Sequence, residues 1–418
     1  MAVRSLTLQE TLRRFCLAAF AVLTRDADGG AELPFAFEEH RSAGKPALYE
    51  YRPLARGFVE ERLDAIEALE DTRIALEELA RLPQTAFFAR AHAGSAPTGQ
   101  PLVRSILLPL VVKTVERCGG LDWDDHVFAR VYDELERSLF ADRRAYAALT
   151  PLVGVSSASE VELAAGMRVR SALPGELSAH WPEAAGLLPD RFGRDADALL
   201  VLEWQRAIAA DRPEPPDAPG ELADAVTALR LATAGAIAGG PVVFERLDWR
   251  AYGIRPLLPI AAVRPAGDPA HLEGVRARVA RTLLARLASA DLDPEVNEAL
   301  DRWELSLFQG DQLRAESLRA VLERALGAGD GAFAAALRAA VLLGDSGRTR
   351  RDLLAELRNH LSGSGEVDIE RVADVARRVL VELLLHGERA ALIGSLDDSL
   401  LGARLGSSVA PGGRVAAG

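Results

Sequence analysis

Two segments near the C-terminal end decide how this chain folds: LRAAVLLG at residues 337–344 and LAELRNH at residues 354–360. Apolar residues recur at helical spacing through the first segment, and its final glycine is typical of a helix end. The second segment keeps this spacing, so it predicts another helix, which begins after a Ser-Gly pair and ends at Arg358 and Asn359. Two helices are therefore expected to meet near an arginine–asparagine pair.

The sequence after this pair extends the helical pattern. A glycine- and serine-rich break at residues 361–365 is followed by apolar positions, from Val372 to Leu384, that recur at helical spacing. They predict a long third helix that ends at Gly387, because glycine readily closes a helix in the left-handed conformation. Together these helices predict one compact helical unit within residues 271–418.

The order of these segments resembles a known family. A helix with the pattern Ala-Leu-Arg-Ala-Ala-x-Leu-Leu-Gly is followed by a basic segment, a helix ending in Leu-Arg-polar, a Gly/Ser turn, a long helix and Leu-Asp-Asp-x-Leu-Leu at residues 396–401. This order is similar to the HEPN superfamily and looks most like its ApeA-like branch. The pattern Glu-x-x-Leu-x-x-Gly-x-Arg-x-Arg at residues 160–170, after Leu-Thr-Pro-Leu at 149–152, resembles the segment that precedes the helical unit in ApeA-like proteins.

This resemblance implies a particular chemistry. Active HEPN proteins are metal-independent endoribonucleases that work as dimers, and their signature is Arg, a polar residue, and His four to six residues after the Arg. Arg358 and Asn359 fit the first two places, but Gly363 or Ser364 stands where the histidine belongs, and the nearest imidazole is that of His360. The resemblance implies a homodimer with RNA as its partner and with no cofactor or metal.

Cleavage of RNA without a metal makes two demands on side chains. A base must take the 2′-hydroxyl proton, which histidine does near neutral pH, and a cation must stabilise the charged phosphorane, which arginine does with its planar fork. The catalytic candidates are therefore Arg358, Asn359 and His360, the last by swinging in from the turn after the helix. The alternative is structural: Arg358 and Asn359 end a helix, and His360 is an ordinary surface residue.

A basic cluster accompanies these candidates. The arginines that we expect to face RNA phosphates in a shared groove are Arg348, Arg350, Arg351, Arg377 and Arg378, with Arg371 beside them. A second interpretation stays open, in which these side chains pair at helical spacing with nearby acids. Those acids are Asp345, Asp352, Glu356 and Asp374.

Composition limits the classes of protein that this chain can belong to. It has 418 residues, of which 49% are hydrophobic and 26% charged, enough for two or three globular domains. A net charge of −12 disfavours indiscriminate binding to nucleic acid, although a local basic patch can override it. Cys16 and Cys118 are too few for a zinc site or a disulfide framework, so we expect buried thiols in a reducing cytoplasm.

No stretch approaches the length of a membrane span, and arginines interrupt the apolar run at residues 12–23, so we expect an internal helix there instead of a signal peptide. The helices predicted for the first part lie at residues 58–82, 103–118 and 124–138. The elements predicted for the middle part are a hairpin around Gly166, strands at residues 199–204 and 242–246, and a helix at 222–238. The acidic residues of the 58–82 helix predict a solvated face.

The predicted fold class is mainly α. It comprises an N-terminal helical region at residues 1–148, a small α+β middle domain at 149–270 and a HEPN-like helical bundle at 271–418. Two hypotheses for its function follow. Either the chain is an ApeA-like, RNA-cleaving effector of phage defence or stress, or its helical unit has lost catalysis and serves as a scaffold for dimerisation, RNA sensing or binding of a partner whose identity the sequence does not give.

Overall fold

A computed structural model provides the geometry of most of the chain. The residues that it describes are 5–40, 48–85, 101–172, 200–209, 216–240, 242–249, 253–256, 268–289, 293–362 and 368–402. Gly363 and Ser364, which stand at the expected histidine position, lie outside these ranges, as does the end of the predicted glycine- and serine-rich break. The fold is mainly helical, with an antiparallel sheet in the middle of the chain.

The N-terminal part consists of helices and one hairpin. The helices are α1 (Leu6–Asp28), α2 (Ala55–Glu60), α3 (Leu63–Glu67), α4 (Glu70–Ala80), α5 (Leu108–Cys118, after a π-helical turn at Val103–Leu107) and α6 (Asp125–Leu139). Strands β1 (Phe35–His40) and β2 (Leu48–Pro53) pair antiparallel. Asp124 caps α6 by accepting hydrogen bonds from His126 N and Val127 N, as its position before the apolar run predicts.

The single helix predicted at residues 58–82 is wrong, because this stretch forms α2, α3 and α4. The Arg62 guanidinium lies over the Phe58 ring, 3.7 Å from its centroid, and donates to the Phe58 carbonyl oxygen, which closes α2. Leu69 is extended and the Thr72 hydroxyl donates to the Ile66 carbonyl, which separates α3 from α4. These side-chain bonds use carbonyl oxygens that a continuous helix would have paired internally.

The strands of the central sheet are β3 (Arg143–Val153), β5 (Val161–Ala164), β6 (Met167–Ser171), β7 (Leu200–Ala209), β8 (Ala238–Gly239), β9 (Val242–Leu247) and β10 (Gly253–Pro256). They run in the order β10-β9-β3-β7-β6-β5, and β8 also pairs with β3. A short parallel pair lies apart from it: β4 (Val155–Ser156) with β11 (Ala270–His271). The predicted hairpin and both predicted strands are confirmed.

Gly166 makes the β5–β6 hairpin possible. Its φ is +75°, and a Cβ there would stand 2.2 Å from the Gln205 carbonyl oxygen on β7. The Gly166 carbonyl accepts a hydrogen bond from Gln205 N at 2.7 Å, so the turn lies directly on the neighbouring strand. Only glycine allows both this backbone angle and this close approach.

Helix α7 occupies Ala218–Thr233, so the predicted range of 222–238 is wrong at both ends. Pro219 stands in the first turn, where a proline needs no hydrogen-bond partner, and the Asp217 side chain caps the start by accepting from Gly220 N. The end falls at Ala234, which takes the left-handed conformation with φ 58°. The sheet also begins before the expected change of character at residue 149, since β3 starts at Arg143.

The described residues of the C-terminal part after β11 are mainly helical. Its helices are α8 (Gly274–Ser289), α9 (Pro294–Ser306), α10 (Asp311–Leu322, continued by a π-helical turn at Glu323–Gly327), α11 (Gly331–Leu343), α12 (Gly347–Ser362), α13 (Ile369–His386) and α14 (Arg389–Leu400). The predicted helix ends at Gly344 and Gly387 are confirmed, and Gly387 takes the expected left-handed conformation with φ 85°.

Two apolar cores lie under these elements. The first joins α1 to α6 and includes Trp249, whose carbonyl oxygen accepts from the Lys113 ammonium. The second runs continuously from Tyr146 in the sheet to Leu396 in α14. The sheet and the C-terminal helices therefore share one core. The predicted boundaries after residues 148 and 270 stay predictions.

One buried ion pair lies where α7, beside the sheet, meets α9 of the C-terminal part. Arg230 Nη1 stands 2.9 Å from Glu304 Oε2, and both side chains are less than a tenth exposed. Arg230 also donates to the Ile237 carbonyl at 2.7 Å, and the Thr227 hydroxyl donates to Glu304. The guanidinium further lies 5.3 Å from the centre of the Phe308 ring. These contacts give each buried charge a partner of opposite charge and further polar contacts.

Within the described ranges, no single helix has the length and apolarity that crossing a membrane requires, and one pair bent by 77°, Asp311–Gly327 with Gly331–Leu343, meets that test by length and composition alone. Cys16 is fully buried as predicted, whereas Cys118 is only half-buried because it stands in the last turn of α5. Burial raises the pKa of both thiols.

We expect Glu304→Ala to lower the free energy of unfolding by roughly 3–5 kcal/mol, because the change leaves the buried Arg230 guanidinium without its counter-charge. Chemical denaturation followed by circular dichroism measures the effect. The control is Arg302→Ala on the same helix, whose exposed pair with Glu298 at 3.2 Å should contribute less than about 1 kcal/mol. Equal effects of the two variants would contradict a structural role for the Arg230–Glu304 pair.

Candidate functional site in the C-terminal helices

Helix α12 carries the catalytic candidates. Its start is a reciprocal capping arrangement: Ser346 Oγ accepts from Thr349 N at 3.2 Å, and Thr349 Oγ1 accepts from Ser346 N at 2.9 Å. The predicted end at Arg358 and Asn359 is wrong, because the helix continues to Ser362. The last turn persists because Leu361 is buried in the second core and no proline or glycine interrupts it.

The candidates lie on different faces of α12. Successive residues of an α-helix are about 100° apart, so Arg358 and His360 are separated by about 200°. Leu357 and His360 are buried, whereas Arg358 and Asn359 are exposed. Within one chain, therefore, the Arg358 guanidinium and the His360 imidazole point in nearly opposite directions and cannot reach the same phosphate.

His360 is a core residue, and the expectation of a surface histidine is wrong. Its exposed fraction is 7%, and its Nε2 atom is closed to solvent with no hydrogen-bond partner among the described residues. Burial lowers the pKa of His360 below its ordinary value and the charge of Arg319 on α10 lowers it further, while a hydrogen bond with the Ala315 backbone partly offsets both. The imidazole is thus held neutral between α10 and α12.

This environment decides what His360 can do chemically. A general base must come within hydrogen-bond reach of the proton that it takes, either directly or through one water. A ribose hydroxyl cannot reach an Nε2 atom that is closed to solvent. The cation whose charge acts on the imidazole is also not the predicted Arg358. It is Arg319, which pairs with Glu323 at 3.0 Å.

The predicted RNA-binding arginines of α12 are only partly available for phosphate. Arg350 donates to the Gly344 carbonyl at 3.0 Å and so closes the end of α11, and a Cβ on Gly344 would stand 2.5 Å from Arg350 Cγ. Arg351 donates to the Gly347 carbonyl at 3.1 Å. Arg348 is 88% exposed and lies 3.8 Å from Asp352 one turn later, a separation too long for a strong pair.

The arginines of α13 divide in the same way. Arg377 pairs with Asp374 at 2.7 Å and donates to the Leu231 carbonyl at 3.0 Å, which attaches α13 to α7. Arg378 is exposed. Arg371 pairs with Glu356 across α12 and α13 at 2.6 Å. Arg371 and Arg377 therefore pair with nearby acids, as the second interpretation predicted. Arg348 and Arg378 are the predicted arginines that are exposed enough to bind phosphate.

The segment that resembles the lead into ApeA-like helical units has a structural role. Arg168 and Arg170 on β6 both reach Glu203 on β7, at 2.6 and 3.0 Å. Burial raises the pKa of Glu203, but hydrogen bonds from Arg170, Gln205 and Arg168 outweigh it and lower the pKa to about 2. These arginines hold two strands together with an ionised carboxylate.

Arg338 is the residue whose role the sequence did not reveal. It belongs to the motif of α11, is 6% exposed and makes a bidentate pair with Asp397, at 2.8 and 2.9 Å. Asp397 belongs to the Leu-Asp-Asp-x-Leu-Leu motif of α14. The same guanidinium donates to Asp330 and to the carbonyl oxygens of Leu326 and Gly327 at the end of the π-helical turn. Two distant motifs thus meet at one cation.

No signal in the sequence could have found this contact, because Arg338 and Asp397 are 59 positions apart. The guanidinium holds the pKa of Asp397 below its usual range, chiefly through the hydrogen bonds between them. The segments that carry the family resemblance are therefore a set of structural contacts as well as a pattern.

The resemblance to HEPN proteins rests only on the sequence motifs described above, because the comparisons with known proteins found no match. No protein-family model matches the chain, and no curated protein or solved structure matches it significantly. Among the described residues, no group of three His, Cys, Asp or Glu side chains is placed to hold a metal ion. The HEPN-like identity of the C-terminal helices stays a prediction.

We expect His360 to make the fold less stable as the pH falls. The pKa of His360 is lower in the folded chain than the value of about 6.5 in the unfolded chain. Its contribution to the free energy of unfolding is therefore complete above the unfolded pKa and is lost as the pH falls through the folded pKa. Denaturation midpoints measured from about pH 8 to about pH 5 should fall less steeply for His360→Leu than for the wild type. Equal slopes for the two proteins would contradict a buried imidazole whose pKa is lowered by folding.

We expect Arg338→Ala to lower the free energy of unfolding by roughly 3 kcal/mol or more, because the Leu326 and Gly327 carbonyl oxygens lose a buried donor. Thermal and chemical denaturation measure the loss. Arg348→Ala removes the same type of side chain from an exposed position and should change stability by less than about 0.5 kcal/mol. If Arg338→Ala had the same denaturation midpoint as the wild type, water would be replacing the guanidinium with no loss of stability, which would contradict this prediction.

Proposed function

We propose that this chain is a HEPN-type protein of the ApeA-like kind whose C-terminal helices form a non-cleaving scaffold. In this proposal two copies associate through the helical unit as a homodimer, and the exposed arginines Arg348 and Arg378 contact RNA phosphates without cutting the strand. The N-terminal helices and the central sheet then recognise a further partner. The RNA-cleaving alternative takes second place.

The buried imidazole of His360 is the observation that carries this choice. A metal-free ribonuclease needs a base that its substrate can reach and a cation at the same phosphate. His360 offers a neutral imidazole that is closed to solvent, and Arg358 points away from it on the exposed side of α12. The sequence adds that no histidine stands four to six residues after Arg358.

RNA contact without cleavage is consistent with the charges on the surface. Arg348 is 88% exposed, and Arg378 lies on the exposed side of α13. An arginine guanidinium binds a phosphate through two parallel hydrogen bonds, and such contacts are independent of base sequence. The net charge of −12 limits the affinity, so we expect binding that weakens steeply with salt.

The test is an assay of RNA cleavage and binding with the full chain in the presence of a chelator. We expect the wild type, Arg358→Ala and His360→Leu all to leave a labelled single-stranded RNA intact, while a metal-independent ribonuclease run beside them cuts it. Sedimentation should show a dimer. Retardation of the same RNA should weaken in the double variant Arg348→Ala, Arg378→Ala.

Two outcomes would overturn the scaffold proposal. Cleavage by the wild type that is lost in both Arg358→Ala and His360→Leu would establish a working nuclease site that opens in solution. A monomer that neither retards nor cuts RNA would remove both the dimer and the RNA from the proposal. Circular dichroism of each variant separates these outcomes from simple unfolding.

A further inference from the structure

A Ser–His–Glu chain of side chains lies outside α12 and α13, on the short parallel pair of β4 and β11 and on the residue Glu273 just before α8. Ser156 and His271 are direct register partners in this pair. Backbone bonds fix the register: Ala270 N donates to the Gly154 carbonyl at 2.9 Å, and Leu272 N donates to the Ser156 carbonyl at 2.8 Å. Partners in a strand pair present their side chains on the same face.

The three side chains form a continuous hydrogen-bonded series. Ser156 Oγ lies 3.2 Å from His271 Nδ1, and His271 Nε2 lies 3.0 Å from Glu273 Oε1. An ionised carboxylate only accepts hydrogen bonds, so Glu273 selects the tautomer with its proton on Nε2. The lone pair of Nδ1 is then directed at the Ser156 hydroxyl and can take its proton.

The site is both anchored and accessible. Val155 and Leu272, the neighbours of Ser156 and His271 along the chain, are buried in the second core. Arg276 donates to the His271 carbonyl at 3.0 Å, and the Ser157 hydroxyl donates to the Leu272 carbonyl at 3.0 Å. The His271 side chain is nonetheless 47% exposed, so a small molecule can approach it. Rigid strands hold reacting groups more accurately than loops do.

We propose that Ser156 is an activated nucleophile that attacks small acyl esters and related electrophiles, with His271 as the general base and Glu273 as a positioning residue. Ser156 Oγ bonds to the carbonyl carbon while its proton passes to His271 Nδ1. The bond from that carbon to the leaving oxygen breaks, and the imidazolium gives the proton to the leaving alkoxide. Water then attacks the acyl-serine with the same base, which releases the acid and restores the hydroxyl.

This inference is independent of the proposed scaffold, because none of its residues belongs to α12, α13 or the arginine surface. It assigns chemistry to a part of the sheet region to which the family pattern gives no catalytic role. A hydroxyl is a poor nucleophile without an adjacent base, so the reactivity of Ser156 depends directly on the His271 contact.

The experiment is covalent labelling of the full chain with an alkyl fluorophosphonate, in which the serine oxygen bonds to phosphorus and fluoride leaves. Intact mass and peptide mapping should give one adduct, on Ser156. We expect no adduct at this position in Ser156→Ala and a labelling rate lower by on the order of 10²-fold in His271→Gln, the usual effect of a positioned base. Hydrolysis of p-nitrophenyl acetate, measured beside it, should fall in parallel.

The controls separate activation from folding. Ser159→Ala removes an exposed hydroxyl three residues further along the chain, which takes no part in anchoring the site, so labelling of Ser156 should persist. Glu273→Gln should lower the maximal labelling rate and leave the half-saturating probe concentration unchanged, as expected for a residue that acts through the imidazole. Absence of an adduct on Ser156, or equal labelling rates in the wild type and His271→Gln, would refute the inference, with circular dichroism confirming that each variant is folded.

Discussion

The buried pair of Arg230 and Glu304 is the contact on which the arrangement of the chain most depends. Charges inside an apolar core are costly unless each one is paired and hydrogen-bonded, so the helices that carry them have little freedom to shift. Glu304 has a guanidinium and a hydroxyl as partners, and Arg230 has a carboxylate and a carbonyl. The central sheet and the C-terminal helices consequently form a single packed body around one continuous core.

A second buried arginine organises the far end of the same core. Arg338 joins α11, α14 and the end of the π-helical turn, where it donates to the carbonyl oxygens of Leu326 and Gly327. Both motifs that meet there belong to the pattern that resembles HEPN proteins. The contact between Arg338 and Asp397 gives both motifs a role in packing, which is independent of any catalytic role for the helices.

The position of His360 separates the two functional hypotheses by a simple angle. Residues two positions apart on an α-helix are rotated by about 200° around its axis, so Arg358 and His360 cannot both face the same solvent cleft. Burial, which keeps the imidazole neutral, also withholds it from a substrate.

The sequence by itself determined three helices of the C-terminal part, the helix ends at Gly344 and Gly387, the Gly166 hairpin and the strands β7 and β9, because periodicity and glycine are local signals. Tertiary structure alone decided the rest. It divided residues 58–82 into three helices through side-chain bonds to carbonyls, extended α12 by packing Leu361, and buried His360 against Arg319. It also brought Ser156 to His271 and Arg338 to Asp397, contacts between residues more than fifty positions apart. Such contacts leave no periodic trace, because spacing along a chain reports only which neighbours share a face and not which distant element covers that face.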